Sequence, residues 1–226
     1  MRKPLIAGAG GRCLQRLKGS GTRGDVDLWD IERGLAESGY CVVCGIDEAG
    51  RGPLAGPVYA AAVVLPMKME IPGLDDSKKL NADVRETLFG IIKGKAVAFG
   101  IASADNREID ELNILQATFL AMNRALKKIS PVPDIILVDG NRNPMPGLNV
   151  RCIIGGDGLS ASIAAASILA KVSRDRYMTE ISKIYPQYAF EKHKGYGTKL
   201  HYEMLREHGP CEMHRTTFLR AMKHSV

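Results

Sequence analysis

Four carboxylates stand at positions where buried elements are expected to end. Asp47 and Glu48 follow the apolar run Cys41–Ile46, Asp139 closes the sequence ILVD, and Asp157 sits in GGDG. Taken singly, each has an ordinary reading, because acids commonly turn a chain after a strand and aspartate commonly caps a helix. Jointly they suggest more. An adjacent Asp-Glu pair directly after a buried strand is repulsive unless a cation lies between the carboxylates, and hard divalent ions such as Mg²⁺ or Mn²⁺ take oxygen ligands of this kind. The chemistry such a site serves is phosphodiester hydrolysis, in which two metals roughly 3.5–4 Å apart activate water and stabilise the leaving oxygen. No Ser/His/Asp order or catalytic-cysteine context competes. Neither a complete GxxxxGK(S/T) loop nor a GxGxxG fingerprint is present, so nucleotide-cofactor chemistry has little support. The residues alone point to a metal-dependent hydrolase acting on a phosphate polymer.

The elements that must position these acids follow from hydrophobic periodicity. Leu28, Ile31 and Leu35 recur at helical spacing between Asp25 and Ser38, and Gly39 offers a stop. Cys41–Ile46 suits a buried strand, and Val58–Leu65 a second one pairing antiparallel with it across a glycine-rich turn. A helix is expected over Asp83–Ile92, a third strand over Lys95–Ile101 and a long helix over Glu108–Ile129. Strands at Asp134–Val138 and Val150–Ile154 then lead to a helix over Ser160–Met178. Its face of Ala161, Ala164, Ala165, Ala166, Ser167 and Ala170 should pack closely on the sheet. Loops and shorter helices follow from Tyr185. The expected fold is α/β, a mixed sheet flanked by helices.

The 226 residues suit one domain, and the charge is unevenly placed along them. Residues 171–226 hold 11 Lys/Arg against 6 Asp/Glu and all five histidines, whereas residues 41–170 hold 13 against 14. A basic final third beside a near-neutral body suits a polyanion such as nucleic acid, although basic tails are also ordinary solvated surface. Residues 1–24, with six glycines, read as a flexible basic leader. No apolar run approaches a membrane span or a signal-peptide core, so a cytoplasmic protein is expected. Cys41 and Cys44 form a CxxC with no second half to complete a metal site, and read as half-buried strand cysteines.

Six ordered motifs resemble the signature of the ribonuclease HII (type 2 ribonuclease H) family. They are GIDEAGRGPLAGPV (Gly45–Val58), DDSKKL (Asp75–Leu80), ELNILQAT (Glu111–Thr118), ILVDGN (Ile136–Asn141), AAASILAKVSRDRYM (Ala164–Met178) and HKGYGT (His193–Thr198). The resemblance runs from about Tyr40 to Phe218. It implies a ribonuclease H-like catalytic domain over 25–226, with a helical C-terminal extension over about 185–226. It assigns Asp47, Glu48, Asp139 and Asp157 to a catalytic site holding Mg²⁺ or Mn²⁺. The implied reaction is endonucleolytic cleavage of the RNA strand of RNA–DNA hybrids, and cleavage 5′ of single ribonucleotides embedded in duplex DNA. The products would carry 5′-phosphate and 3′-hydroxyl ends. Ribonucleotide removal and primer clearance in DNA replication follow from the family alone.

By the same resemblance Gly50, Arg51 and Gly52 contact the RNA-to-DNA junction, Tyr196 stacks on the sugar there, and Lys78 lies near the active site. Glycines let main-chain groups approach a sugar, and the 2′-hydroxyl is what separates RNA from DNA. Lys171 and Arg174 either contact phosphates or solvate their helix. Gly155 departs from the family, where a basic residue is often found. A monomer acting on nucleic acid without a membrane is expected, and a replication-clamp contact is not legible in the sequence. The rival readings are a non-catalytic nucleic-acid-binding module and another nuclease of the same fold, such as a type 1 ribonuclease H or a resolvase.

Overall fold

The computed structural model describes residues 27–67 and 69–223. The leader expected over residues 1–24 lies outside them. Five strands form one mixed sheet in the order β3-β2-β1-β4-β5. These are β1 (Val43–Ala49), β2 (Val58–Val64), β3 (Ala98–Ala104), β4 (Ile135–Asp139) and β5 (Val150–Ile153). β1 pairs antiparallel with β2 and parallel with β4, which is itself parallel to β5. Helices α1 (Asp30–Glu37), α2 (Ala82–Lys95), α3 (Asn106–Leu112), α4 (Ile114–Leu126) and α5 (Ala161–Ile184) surround it. α6 (Phe190–His193), α7 (Lys199–His208) and α8 (Thr216–Lys223) make the C-terminal extension. Among the described residues no helix is long and apolar enough to cross a membrane.

Period-two alternation along β1 divides its side chains between two helical layers. Cys44 and Ile46 face Ala117, Ala121 and Ala125 of α4 in one apolar cluster. Val43 faces the other way, with Leu137 of β4 and Ile163 of α5. Gly45 shares that second face, and a Cβ there would lie 2.2 Å from the Ser162 carbonyl carbon and 2.4 Å from Ile163 N. The helix backbone therefore rests directly on the strand, as its run of small residues suggests.

Several expected boundaries move. β1 begins two residues later and extends through Asp47 and Glu48, so these acids lie within the strand. Apolarity marks the buried part of a strand, whereas hydrogen bonding to β2 continues past it to Ala49↔Tyr59. The third strand is displaced to Ala98–Ala104, because α2 runs on to Lys95. The single helix expected over Glu108–Ile129 is two, broken at Asn113, whose φ of 68° leaves the helical region while its side chain caps α4 through Leu115 N and Gln116 N. α5 continues six residues past Met178. Of the CxxC, Cys44 is buried in β1, where burial pushes its thiol up to about 12, while Cys41 precedes the strand and is exposed.

α1 is tied to the start of α5. The Glu32 carboxylate accepts from Ser160 Oγ (2.6 Å) and Ser162 N (2.9 Å), and Leu28 O accepts from Ala161 N (2.8 Å). A negative side chain at a helix N-terminus satisfies free amides and complements the helix dipole.

The α5–β1 approach leaves no room for a side chain. Gly45→Ala should destabilise the protein by about 3 kcal/mol or more, through displacement of packed backbone. Equilibrium denaturation would check this, and a loss below about 1 kcal/mol would mean that α5 is free to shift.

Candidate active site

Strand register and helix placement together bring three acids to one point. In the parallel β1–β4 pair Ile46 lies opposite Val138, so Asp47 and Asp139 are the next neighbours along the two strands. Both continue the face on which α5 lies. Asp157 sits in the 3₁₀ turn Gly156–Gly158 that feeds α5. One carboxylate oxygen from each of Asp47, Asp139 and Asp157 lies within 4.8 Å of the others. Crevices at the carboxyl ends of parallel strands are where α/β proteins commonly bind ligands.

Asp47 and Asp157 are buried and Asp139 is half-buried. Burial first, then the charges of Glu48 and Asp139, push the Asp47 carboxyl well above the ordinary range. Burial also raises Asp139, against the hydrogen bond that its Oδ1 accepts from Gly156 N (2.7 Å). Gly155, with φ of 68°, makes the left-handed turn that presents this amide. Burial raises Glu48 as well, opposed by Arg51, whose Nη1 lies 3.3 Å from Glu48 Oε1. Lys78 Nζ donates to Asp157 Oδ2 at 2.8 Å and is raised in turn. Three clustered carboxylates, two of them raised by burial, match the donor set that a hard divalent cation takes. Glu48 falls outside that three-oxygen cluster but lines the same cleft.

The cleft, about 410 Å³, is also lined by Gly50, Arg51, Gly52, Lys78, Lys171 and Tyr196. Tyr196, 42% exposed, stands on the far wall, with Lys171 Nζ 5.9 Å from its ring centre. Lys171 also pairs with Asp175 at 2.9 Å. The expectation for Arg174 is overturned. It is fully buried and donates to Pro57 O and Ala55 O, so it neither solvates its helix nor reaches a phosphate. α5 carries it inward, beneath the loop that holds Ala55 and Pro57.

Sequence reasoning missed Ser167, Arg215 and the histidines. Ser77 and Ser167 share a hydrogen bond at 2.5 Å that ties the Lys78 segment to α5. Arg215 is fully buried beneath the Gly50–Pro57 loop. His201 Nδ1 lies 2.9 Å from Tyr196 O, which can only accept, so this nitrogen carries the proton. Its Nε2 then accepts from His214 Nε2 at 3.0 Å, and His214 Nδ1 accepts from Cys211 N at 3.0 Å. Burial pushes both imidazoles down to about 4, which keeps this chain neutral. The clustering of histidines in the final third was the available signal, but sequence spacing does not show which of them meet.

Residues 44–221 match the family model described as ribonuclease HII. The ribonuclease HII of Caldicellulosiruptor bescii is 57% identical over 196 residues, covering 87% of this chain and 95% of its own. Among solved structures, ribonuclease H2 from Pyrococcus horikoshii superposes with a TM-score of 0.65 at 27% identity, covering 78% of this chain and 93% of that one. The ribonuclease HII of Archaeoglobus fulgidus, solved in complex with PCNA, gives 0.62 at 27% identity over 77% and 93%.

Two titrations of opposite sign follow. Raised carboxyls favour the fold below their unfolded values of about 4, and that contribution is lost as pH rises through the folded values, so the metal-free protein carries a repulsive cluster at pH 7. Mn²⁺ at about 100 times its Kd should then raise the Tm by roughly 5–10 °C, and Asp139→Asn should largely abolish the rise. Depressed histidines stabilise above about 6.5, and that contribution is lost as pH falls toward 4. The stability gap between wild type and His214→Gln should therefore narrow from pH 7 to 4.5, and a constant gap would remove the pair as the cause.

Proposed function

The chain belongs to the ribonuclease HII family, and from that premise we propose that it nicks duplex DNA on the 5′ side of a single embedded ribonucleotide as well as cutting RNA–DNA hybrids. Metal-dependent endoribonuclease activity of the ribonuclease H class comes with the family and with its fold. The finer reading is carried by one observation, that Asp47 and Asp139 of the three-carboxylate cluster line the same cleft as a glycine-flanked loop and an exposed tyrosine.

Asp47, Asp139 and Asp157 are assigned to hold Mg²⁺ or Mn²⁺, with Glu48 completing the set. When bound, a divalent pair supplies the Lewis acidity that ionises the attacking water and neutralises the leaving 3′-oxygen, so that the products carry 5′-phosphate and 3′-hydroxyl ends. Lys78 offsets Asp157 and fixes its Oδ2, and its largely exposed side chain leaves the ammonium at the rim, within reach of a phosphate oxygen. Gly50, Arg51 and Gly52 bring main chain close to the sugar at the junction, where a 2′-hydroxyl is the distinguishing group. A Cβ on Gly52 would lie 3.8 Å from the Tyr196 ring, so loop and ring stand side by side and can meet the same sugar from one side of the cleft. The described residues act as a single catalytic unit in this reading, the helical extension supplying the Tyr196 wall.

The non-catalytic alternative fares worse, because a module that merely binds phosphates gains nothing from three clustered acids beside a polyanion. A type 1 specificity would require a run of ribonucleotides. A duplex with one ribonucleotide, incubated with Mg²⁺ or Mn²⁺ and with EDTA, separates these readings. The expected outcome is a metal-dependent nick 5′ of the ribonucleotide, lost in Asp139→Asn with binding retained. Tyr196→Ala should reduce that nick by roughly 5- to 100-fold, the range for loss of one aromatic stack. Cleavage confined to long hybrids would retire the single-ribonucleotide reading.

A further inference from the structure

Two arginines that the chemistry above leaves unused lie under the loop from Gly50 to Pro57. Arg215 is fully buried and directs its guanidinium at three carbonyls: Nη2 to Gly50 O (2.6 Å), Nη1 to Arg51 O (2.8 Å) and Nε to Gly56 O (2.9 Å). Arg174, also fully buried, adds Nε to Pro57 O (3.0 Å) and Nη2 to Ala55 O (3.2 Å). Neither forms a salt bridge among the described residues. A planar fork of donors is the group best matched to several fixed oxygens at once, and burying it without a counter-ion is costly. The loop rests directly on this layer. Gly50 has φ of 98°, and a Cβ there would lie 2.0 Å from Arg174 Nε.

The orientation of the carbonyls fixes that of the amides. A trans peptide sets its C=O and N–H in opposite directions. With the Gly50 and Arg51 carbonyls drawn inward, the amides of Arg51 and Gly52 turn outward, at residues that line the cleft. Neither amide has an acceptor among the described residues. Two buried positive charges behind the loop also favour an electron-rich partner in front of it.

Arg215 is itself locked in place by the extension. Its amide donates to Leu54 O (2.8 Å), Gly56 N donates to Met213 O (2.9 Å), and Ala55 and His214 form an isolated bridge. Asp110 of α3 accepts from the amides of Thr216 and Thr217 (2.8 and 2.9 Å), which anchors the segment from the far side.

We propose that Arg215, backed by Arg174, is a positioning residue that holds the Arg51 and Gly52 amides as a preformed donor pair for an acceptor oxygen of the ribonucleotide, its 2′-hydroxyl or the adjoining phosphate. This rests on the junction-reading role given to the loop above. Arg215→Lys tests it, because the charge is kept while the three-carbonyl fork is lost. A long hybrid offers a ribonucleotide in every register and depends less on one fixed donor pair. The ratio of single-ribonucleotide nicking to hybrid cleavage should therefore fall by about 10-fold, the scale of one charge-assisted hydrogen-bond network. The Mn²⁺-induced Tm rise should be unchanged.

A purely structural arginine would lower both activities together, and an unchanged ratio overturns the proposal. If affinity for an all-DNA duplex falls in parallel, the acceptor is the phosphate; if it holds, the acceptor is the 2′-hydroxyl. Should the variant fail to fold, amide order parameters in the free wild type decide instead. Values for residues 50–52 near 0.85 support a preformed pair, and values below about 0.6 overturn it. Wild type unable to nick at a single ribonucleotide would retire the parent reading, whereas normal wild-type nicking with an unchanged ratio retires only the role of Arg215.

Discussion

Everything in the acidic cleft depends on how closely α5 approaches β1. Gly45 presents no side chain to the helix, so the Ser162–Ile163 backbone sits against the strand. Two residues further along the same face is Asp47, and on the neighbouring parallel strand is Asp139. Because α5 starts where it does, the turn before it carries Asp157 into the same space. A helix standing off by the ordinary packing distance of a side chain would leave Asp157 too far away to share an ion with the other two. The latch from Glu32 to Ser160 and Ser162 serves the same end, since it fixes the first turn of α5 three residues beyond Asp157.

That geometry works against stability in the metal-free chain. Burial and mutual repulsion raise the carboxyls of Asp47, Glu48 and Asp139, and the nearby cations offset this only in part: Lys78 pairs with Asp157 and also acts on Asp139 and Glu48, and Arg51 pairs with Glu48. Asp47, the most enclosed, forms no salt bridge among the described residues. Clusters of this sort persist when they serve an ion, and local strain at a functional site is offset by packing elsewhere. Here the offset comes from the alanine-rich contact of α5 and the two apolar clusters on either side of the sheet.

Much of this was legible in the sequence, for identifiable reasons. Strands β1, β2, β4 and β5 announce themselves by apolar runs, and the small face of α5 announces its close packing. The acids could be picked out because they fall where those runs stop. What periodicity could not show was the end of a strand defined by hydrogen bonding, which carries β1 on through Asp47 and Glu48. Nor could it show the break at Asn113, where a capping side chain interrupts what reads as continuous apolar helix. Arg174 was misjudged because a basic residue in a helix near a basic tail is normally solvated, and nothing local indicates that five loop carbonyls await Arg174 and Arg215.

The two walls of the cleft come from distant parts of the chain, yet they are held by adjacent residues. Arg215 gathers the carbonyls of the Gly50–Gly56 loop, while His214, through His201, fixes the carbonyl of Tyr196. Leu54 N donating to Gly195 O closes the circuit between loop and tyrosine segment. A displacement of residues 211–217 would therefore move both walls together, keeping the width between them while changing their distance from the acids. Such coupling suits a site that must grip a helical duplex of constant width. It also explains why a helical extension contributing none of the clustered acids is nonetheless built into the cleft: it holds the Tyr196 ring against the loop and sets where both stand relative to the acids.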